Sequence, residues 1–130
     1  EHKKKHMDSV VNCMSKIDSE EANNVNTIKV VTNYDNDLIY MSRSPISATK
    51  VGLSDNTYKQ VCIYAFTKQQ LEKFYKMKKT LLELDEDIDI LRFLEMGINV
   101  KMIETFGTTQ AVDIPEDVDK VLEILNERKS

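Results

Sequence analysis

The chain has 130 residues, a formal net charge of −4 and 31% charged residues of mixed sign. That length holds one core and not comfortably two, the balance of charge lacks the basic stripe that a nucleic-acid partner needs, and no apolar run approaches membrane-spanning length. Cys13 and Cys62 stand in no metal-ligand spacing, so two reduced, mostly buried thiols in a cytoplasmic protein are expected.

His2-Lys3-Lys4-Lys5-His6 is a dense basic run that reads as a solvated helix end. The chain opens on Glu1 with no signal-peptide pattern, which suggests a piece of something longer. Ser9–Met14 is a β-type run, and Ile17-Asp18-Ser19-Glu20-Glu21 offers a helix start with Ser19 as cap. Residues 27–32 and 38–42 are two further β runs around the turn-rich Asn33–Asp37, which predicts a hairpin ended by Pro45. Ser47–Thr57 is the least patterned stretch and is expected to be a mobile loop. Tyr58–Phe66 is apolar on both alternating faces, as in a strand buried on both sides beneath covering helices.

Thr67–Gln70 and Thr80–Glu83 are capping boxes. The second is expected to open a helix with a core face of Leu84, Ile88, Leu91 and Leu94, stopped by Gly97. Ile98, Val100 and Met102 alternate as a strand. After a polar connection at 106–110, Asp113 and Glu116 form a third capping box around Pro115, with Val118, Val121, Leu122 and Leu125 as a stripe facing a core. The order of elements predicts one α/β domain over residues 1–130, a mixed sheet covered by helices and extended by a β-hairpin at 27–46.

Much chemistry is excluded. The three glycines are too dispersed for a phosphate loop, and both histidines fall in the first six residues. What is left is polar residues at element ends. Asp113 sits where a strand gives way to a helix; a plain N-cap is the simpler account, though ligands also gather there in α/β sheets. Glu86 and Asp89 share a helical face, read either as a solvated acidic surface paired with Arg92 or as a ligand contact. Tyr64 reads as a core tyrosine, and Arg43 as an exposed arginine or an anion contact.

Taken in order, these segments resemble the C-terminal part of the 3-deoxy-manno-octulosonate (Kdo) cytidylyltransferase family, a nucleotidyltransferase with a Rossmann-like fold. The resemblance rests on Ile28–Thr32 followed by Leu38–Ile46, on Ile63-Tyr64-Ala65-Phe66, on the acidic stretch Leu82–Arg92, and on Val112-Asp113-Ile114-Pro115-Glu116-Asp117-Val118. It implies transfer of CMP from CTP to a 2-keto sugar acid with release of pyrophosphate, in lipopolysaccharide or capsule precursor synthesis, by a Mg²⁺-dependent homodimer. It casts Asp113 as the catalytic, metal-binding carboxylate, and Arg43, Gln60, Tyr64, Glu86 and Asp89 as candidates for binding the sugar acid. The hairpin would belong to the dimer interface. Gln60 stands where the family has a histidine, and Ile90 where it has a glutamine. The family's nucleotide-binding half has no counterpart here, so the chain alone is expected to be an inactive fragment. The alternatives are a non-catalytic dimerisation or interaction module of the same fold, and a cytidylyltransferase for another acid substrate.

Overall fold

A computed structural model describes residues 1–54, 56–106, 112 and 114–127; Asp113, the third capping box that depends on it, and Gly107 fall outside the described residues. Strand β1 (Val10–Lys16) follows a short helix α1 (His2–Lys5) and is the spine of the fold. Helix α2 (Ser19–Asn23) comes next, then the hairpin β2 (Lys29–Thr32) and β3 (Leu38–Ser42). The cap of α2 is Asp18, one residue before the expected Ser19; its carboxylate accepts from the Glu21 N–H at 2.9 Å. Within the stretch expected to be a loop, β4 (Ala48–Thr49) and β5 (Gly52–Leu53) form a two-stranded ladder.

Strand β6 (Tyr58–Ala65) returns antiparallel to β1, and β7 (Val100–Glu104) lies parallel to it, giving the order β3-β2-β6-β1-β7. The mixed sheet is therefore as expected. Between β6 and β7 come α3 (Lys68–Lys76), α4 (Leu81–Glu86) and α5 (Leu91–Glu95); α6 (Pro115–Glu127) follows β7. The hairpin turn bends over to the far edge of the sheet. Met102 N–H donates to Asn36 at 2.8 Å, while Asp37 takes Asn99 Nδ2 at 2.7 Å and Lys101 Nζ at 2.5 Å. The turn that begins at β2 is thus fastened to β7.

The core joins Val10 and Met14 of β1, Val30, Met41, Val100 and Met102 of the neighbouring strands, and Ile88, Ile90, Leu91 and Phe93. The single helix expected after Thr80 is in fact two. Asp87 takes a left-handed conformation (φ +54°) and ends α4, and the chain re-enters helix at Leu91. This break turns Ile88, Ile90, Leu91 and Phe93 into the core but leaves Leu84 exposed. Gly97 does stop α5: it adopts φ +74°, and Ile98 N–H reaches back to Phe93 at 2.9 Å.

Two further burial expectations fail. Strand β6 is not buried on both sides, since Cys62, Ile63 and Tyr64 are all exposed. Strand β2 pairs with it only at Tyr58 and Lys59, so the outer edge beyond Gln60 has no partner strand among the described residues. Helix α6 carries the predicted apolar stripe, but Val118, Leu122 and Leu125 face solvent. Its buried residue is Asp117, whose Oδ2 accepts from the Ile114 N–H at 3.3 Å.

Candidate functional site

A cleft of roughly 1090 Å³ opens where β2 diverges from β6. Gln60, Val61, Cys62 and Ile63 all line it. Consecutive residues of a strand face opposite ways, so the cleft runs along the edge of β6 rather than over one face. The segment 24–28, Arg43 and Asp87 form one wall, and Glu21, Asp117 and Lys120 border it as well. Its cations are partnered: Lys59 Nζ lies 2.6 Å from Glu21 Oε1, and Lys120 Nζ 3.4 Å from Asp117 Oδ1.

Arg43 is neither a free surface arginine nor a bare anion contact. Its Nε donates to the Glu86 carbonyl at 2.7 Å, one terminal nitrogen to the Asp87 carbonyl at 3.0 Å, and the other to Val25 at 3.4 Å. Glu86 secures the same corner with its side chain. It accepts from Ser42 Oγ at 2.7 Å, Arg43 N–H at 3.0 Å and Tyr40 Oη at 3.1 Å. Burial pushes this carboxyl up, but those three donors and the Arg43 charge outweigh it and hold the group below its usual range. Glu86 therefore faces inward and supports Arg43, while Asp89 is exposed beyond the left-handed turn. The two do not share a helical face. Nor does Arg92 pair with Asp89: its guanidinium goes to Glu83 at 2.6 and 2.5 Å.

Lys29 holds the wall from below, and sequence patterning gave no sign of it. Its side chain is 0% exposed. The ammonium donates to the carbonyls of Asn24 at 2.7 Å, Thr27 at 2.5 Å and Arg43. One buried cation thus ties the segment 24–28 to the strand end that carries Arg43. A lysine amid alternating β residues looks like a solvent-facing position; the signal that could have revealed it is the asparagine-rich turn just before, whose carbonyls need donors.

Gln60 faces the cleft and is held from behind by Asn12, which is 0% exposed. Gln60 Nε2 donates to Asn12 Oδ1 at 3.0 Å, and Asn12 Nδ2 donates to the Val61 and Ile63 carbonyls at 2.9 and 3.0 Å. Those carbonyls flank an irregularity in the β1–β6 ladder, where the register moves from Asn12 opposite Tyr64 to Cys13 opposite Val61. Such bulges redirect side chains near functional sites. Here the bulge exposes Cys62, contrary to the expectation of a buried thiol; Cys13 is only half-buried.

Tyr64 lies beyond the cleft, 39% exposed, and stacks on Phe66 with ring centroids 5.8 Å apart. Burial of its hydroxyl, neighbouring Cys62 and the Asp89 charge all push its ionisation upward, so Tyr64 stays a protonated hydrogen-bond donor. Arg43 and Gln60 are therefore brought together in the cleft, and Tyr64 and Asp89 lie within electrostatic reach of each other beside it. Asp113, the proposed metal ligand, lies outside the described residues. Among those described, no group of three His, Cys, Asp or Glu residues is arranged to hold a metal ion.

The cytidylyltransferase family model matches residues 1–106. A 3-deoxy-manno-octulosonate cytidylyltransferase of Christiangramia forsetii is 38% identical over 110 residues, which are 84% of this chain and 44% of that protein. The protein of the same name from Bdellovibrio bacteriovorus is 31% identical over 115 residues, 85% of this chain and 47% of its own length. A solved structure of CMP:2-keto-3-deoxy-manno-octonic acid synthetase complexed with CTP superposes with a TM-score of 0.86 at 28% identity, over 98% of this chain and 53% of that one. The chain thus spans about half the length of the relatives it matches.

Proposed function

This chain belongs to the cytidylyltransferase family, and we propose that it is the sugar-acid-binding part of an enzyme that transfers CMP from CTP to a 2-keto sugar acid. A hydroxyl of the acid attacks the α-phosphate and pyrophosphate leaves, within cytoplasmic synthesis of lipopolysaccharide or capsule precursors. The observation that carries this reading is the cleft along β6, where Arg43 is fixed by three carbonyls beside Gln60. A guanidinium held that way is already ordered before any ligand arrives, so little rotamer entropy is lost on binding.

Phosphoryl transfer is mainly positioning and charge neutralisation, and the chain's share is positioning the acid. It has three dispersed glycines and no phosphate loop, so turnover by the chain alone is expected to be negligible. Mg²⁺ belongs to the proposal through Asp113, with its hard oxygen donor. The described residues do not by themselves make a site for the ion. Assembly as a homodimer is likewise proposed. No helix among the described residues is long and apolar enough to cross a membrane.

A second reading, a cytidylyltransferase for another acid, draws on Ile90. This residue is buried in the core and offers a ligand nothing. Calorimetry separates the readings. The chain should bind 3-deoxy-manno-octulosonate, with affinity about tenfold weaker in Gln60→Ala, and should not bind CTP and Mg²⁺ tightly. Indifference to that acid but binding of a different sugar acid favours the second reading. Indifference to all sugar acids points to a non-catalytic module, and tight CTP binding refutes the division of labour.

A further inference from the structure

The amide of Asn12 could be placed either way round, but its surroundings allow only one. Two carbonyl oxygens, of Val61 and Ile63, lie 2.9 and 3.0 Å from one end. The reverse placement would set Oδ1 against both with no proton between, leaving three buried acceptors together. So Nδ2 faces the carbonyls and Oδ1 faces Gln60. An acceptor there requires a donor, so Gln60 turns its nitrogen inward at 3.0 Å. Its Oε1 is left over, with no protein donor among the described residues, on a side chain that lines the cleft.

We propose that Asn12 is a specificity-determining positioning residue, fixing the Gln60 amide so that the cleft wall presents a carbonyl oxygen that accepts from a ligand hydroxyl. The part of this inference that concerns the ligand rests on the function proposed above. The orientation itself follows from two main-chain carbonyls and holds with no ligand present. A histidine at this place could meet a donor or an acceptor by changing its protonation. A glutamine locked from behind meets a hydroxyl and disfavours a carboxylate, which is left to the Arg43 guanidinium in the same cleft.

The test needs only the chain itself. Gln60→Glu sets a carboxylate against Asn12 Oδ1, where no proton is on offer. By NMR titration the introduced carboxyl should ionise about one pH unit above an exposed glutamate. In Asn12→Ser combined with Gln60→Glu, the serine hydroxyl can donate, and the midpoint should return to the ordinary value. An ordinary midpoint in the single variant, or a raised one that persists in the double, overturns the proposal. Should the double variant not fold, the unsubstituted chain decides: one Gln60 Nε2 proton must be protected from exchange, and two solvent-like protons overturn the proposal. With a panel of monodeoxy analogues of 3-deoxy-manno-octulosonate, one analogue should bind about tenfold more weakly than the parent, and Gln60→Met should erase that difference. Discrimination that survives Gln60→Met also overturns it. If the unsubstituted chain binds no sugar acid, the proposed function fails while the two NMR measurements still decide the orientation.

Discussion

Glu83→Ala is expected to destabilise the chain by about 3–5 kcal/mol, the cost of leaving a buried charge without its partner. Glu83 is 1% exposed and grips Arg92 through two bonds, of 2.6 and 2.5 Å. The rest of the Arg92 guanidinium lies 3.8 Å over the Phe74 ring and donates to the Phe74 and Met77 carbonyls at 3.1 and 3.3 Å. Those carbonyls end α3, so one ion pair joins the C-terminus of α3 to α4 and α5. The Thr80 N–H donates to Glu83 Oε2 at 3.3 Å, so the carboxylate that holds Arg92 also serves the capping box at the start of α4. Replacing both charges, as in Glu83→Leu with Arg92→Met, should destabilise less than Glu83→Ala alone, because neither charge is then stranded. Urea denaturation of the two variants checks this; a double variant less stable than the single one would contradict it.

The same carboxylates set the acid limit. The Arg92 hydrogen bonds hold Glu83 below its usual range, and the bonds from Asn99 and Lys101 do the same for Asp37. Glu86 is also depressed, by donors that outweigh its burial. A group whose folded value lies below its unfolded value contributes fully above the unfolded value, and that contribution is lost as pH falls through the folded one. Melting temperature should therefore hold near neutrality and drop on acidification below the ordinary carboxylate range. The drop should be shallower in Asp37→Asn.

Local rules carried the sequence far where partner and signal are neighbours in the chain. The capping box at Thr67 forms in full, with Gln70 N–H on Thr67 Oγ at 3.1 Å and Thr67 N–H on Gln70 Oε1 at 2.8 Å. Gly97 stops its helix, and the hairpin turn is built on Asn33, whose Oδ1 accepts from the Asp35 and Asp37 N–H groups at 2.9 Å. Periodicity misled where burial depends on distant chain. Residues 61–65 are as apolar as a central strand, yet their outer edge has no partner strand among the described residues. The α6 stripe is amphipathic, yet it meets no core among the described residues. An unbroken helical pattern after Thr80 hid the left-handed Asp87, a conformation that short polar side chains tolerate. Asn12 left no trace in the sequence, and Lys29 only the asparagine-rich turn before it, because their partners are largely main-chain carbonyls, and a carbonyl's direction is written in the fold rather than in residue identity.

Lys29→Met should therefore have a large effect on both stability and the cleft. It removes the donors to the Asn24, Thr27 and Arg43 carbonyls, and an expected loss of about 2–4 kcal/mol follows from leaving them unsatisfied. That loss is tempered because burying an ammonium is itself costly. Burial, then the Arg43 charge, pull the Lys29 ionisation down, with Glu86 opposing. In the folded state the group releases its proton at a lower pH than in the unfolded chain. Between those two values the unfolded state binds more protons, so stability gained from Lys29 rises with pH. Methionine has no such response, and the gap between parent and variant should widen as pH is raised through the alkaline range. Amide exchange reads the local consequence. Gln60 N–H donates to Ile28 at 2.9 Å and Thr27 N–H to Asn24 at 3.1 Å, and both should exchange faster in the variant, while Met102 N–H, bonded to Asn36 at 2.8 Å, should change only with global stability. Exchange at Gln60 and Thr27 that slows or stays fixed relative to Met102 would mean the cleft wall stands without its buried cation.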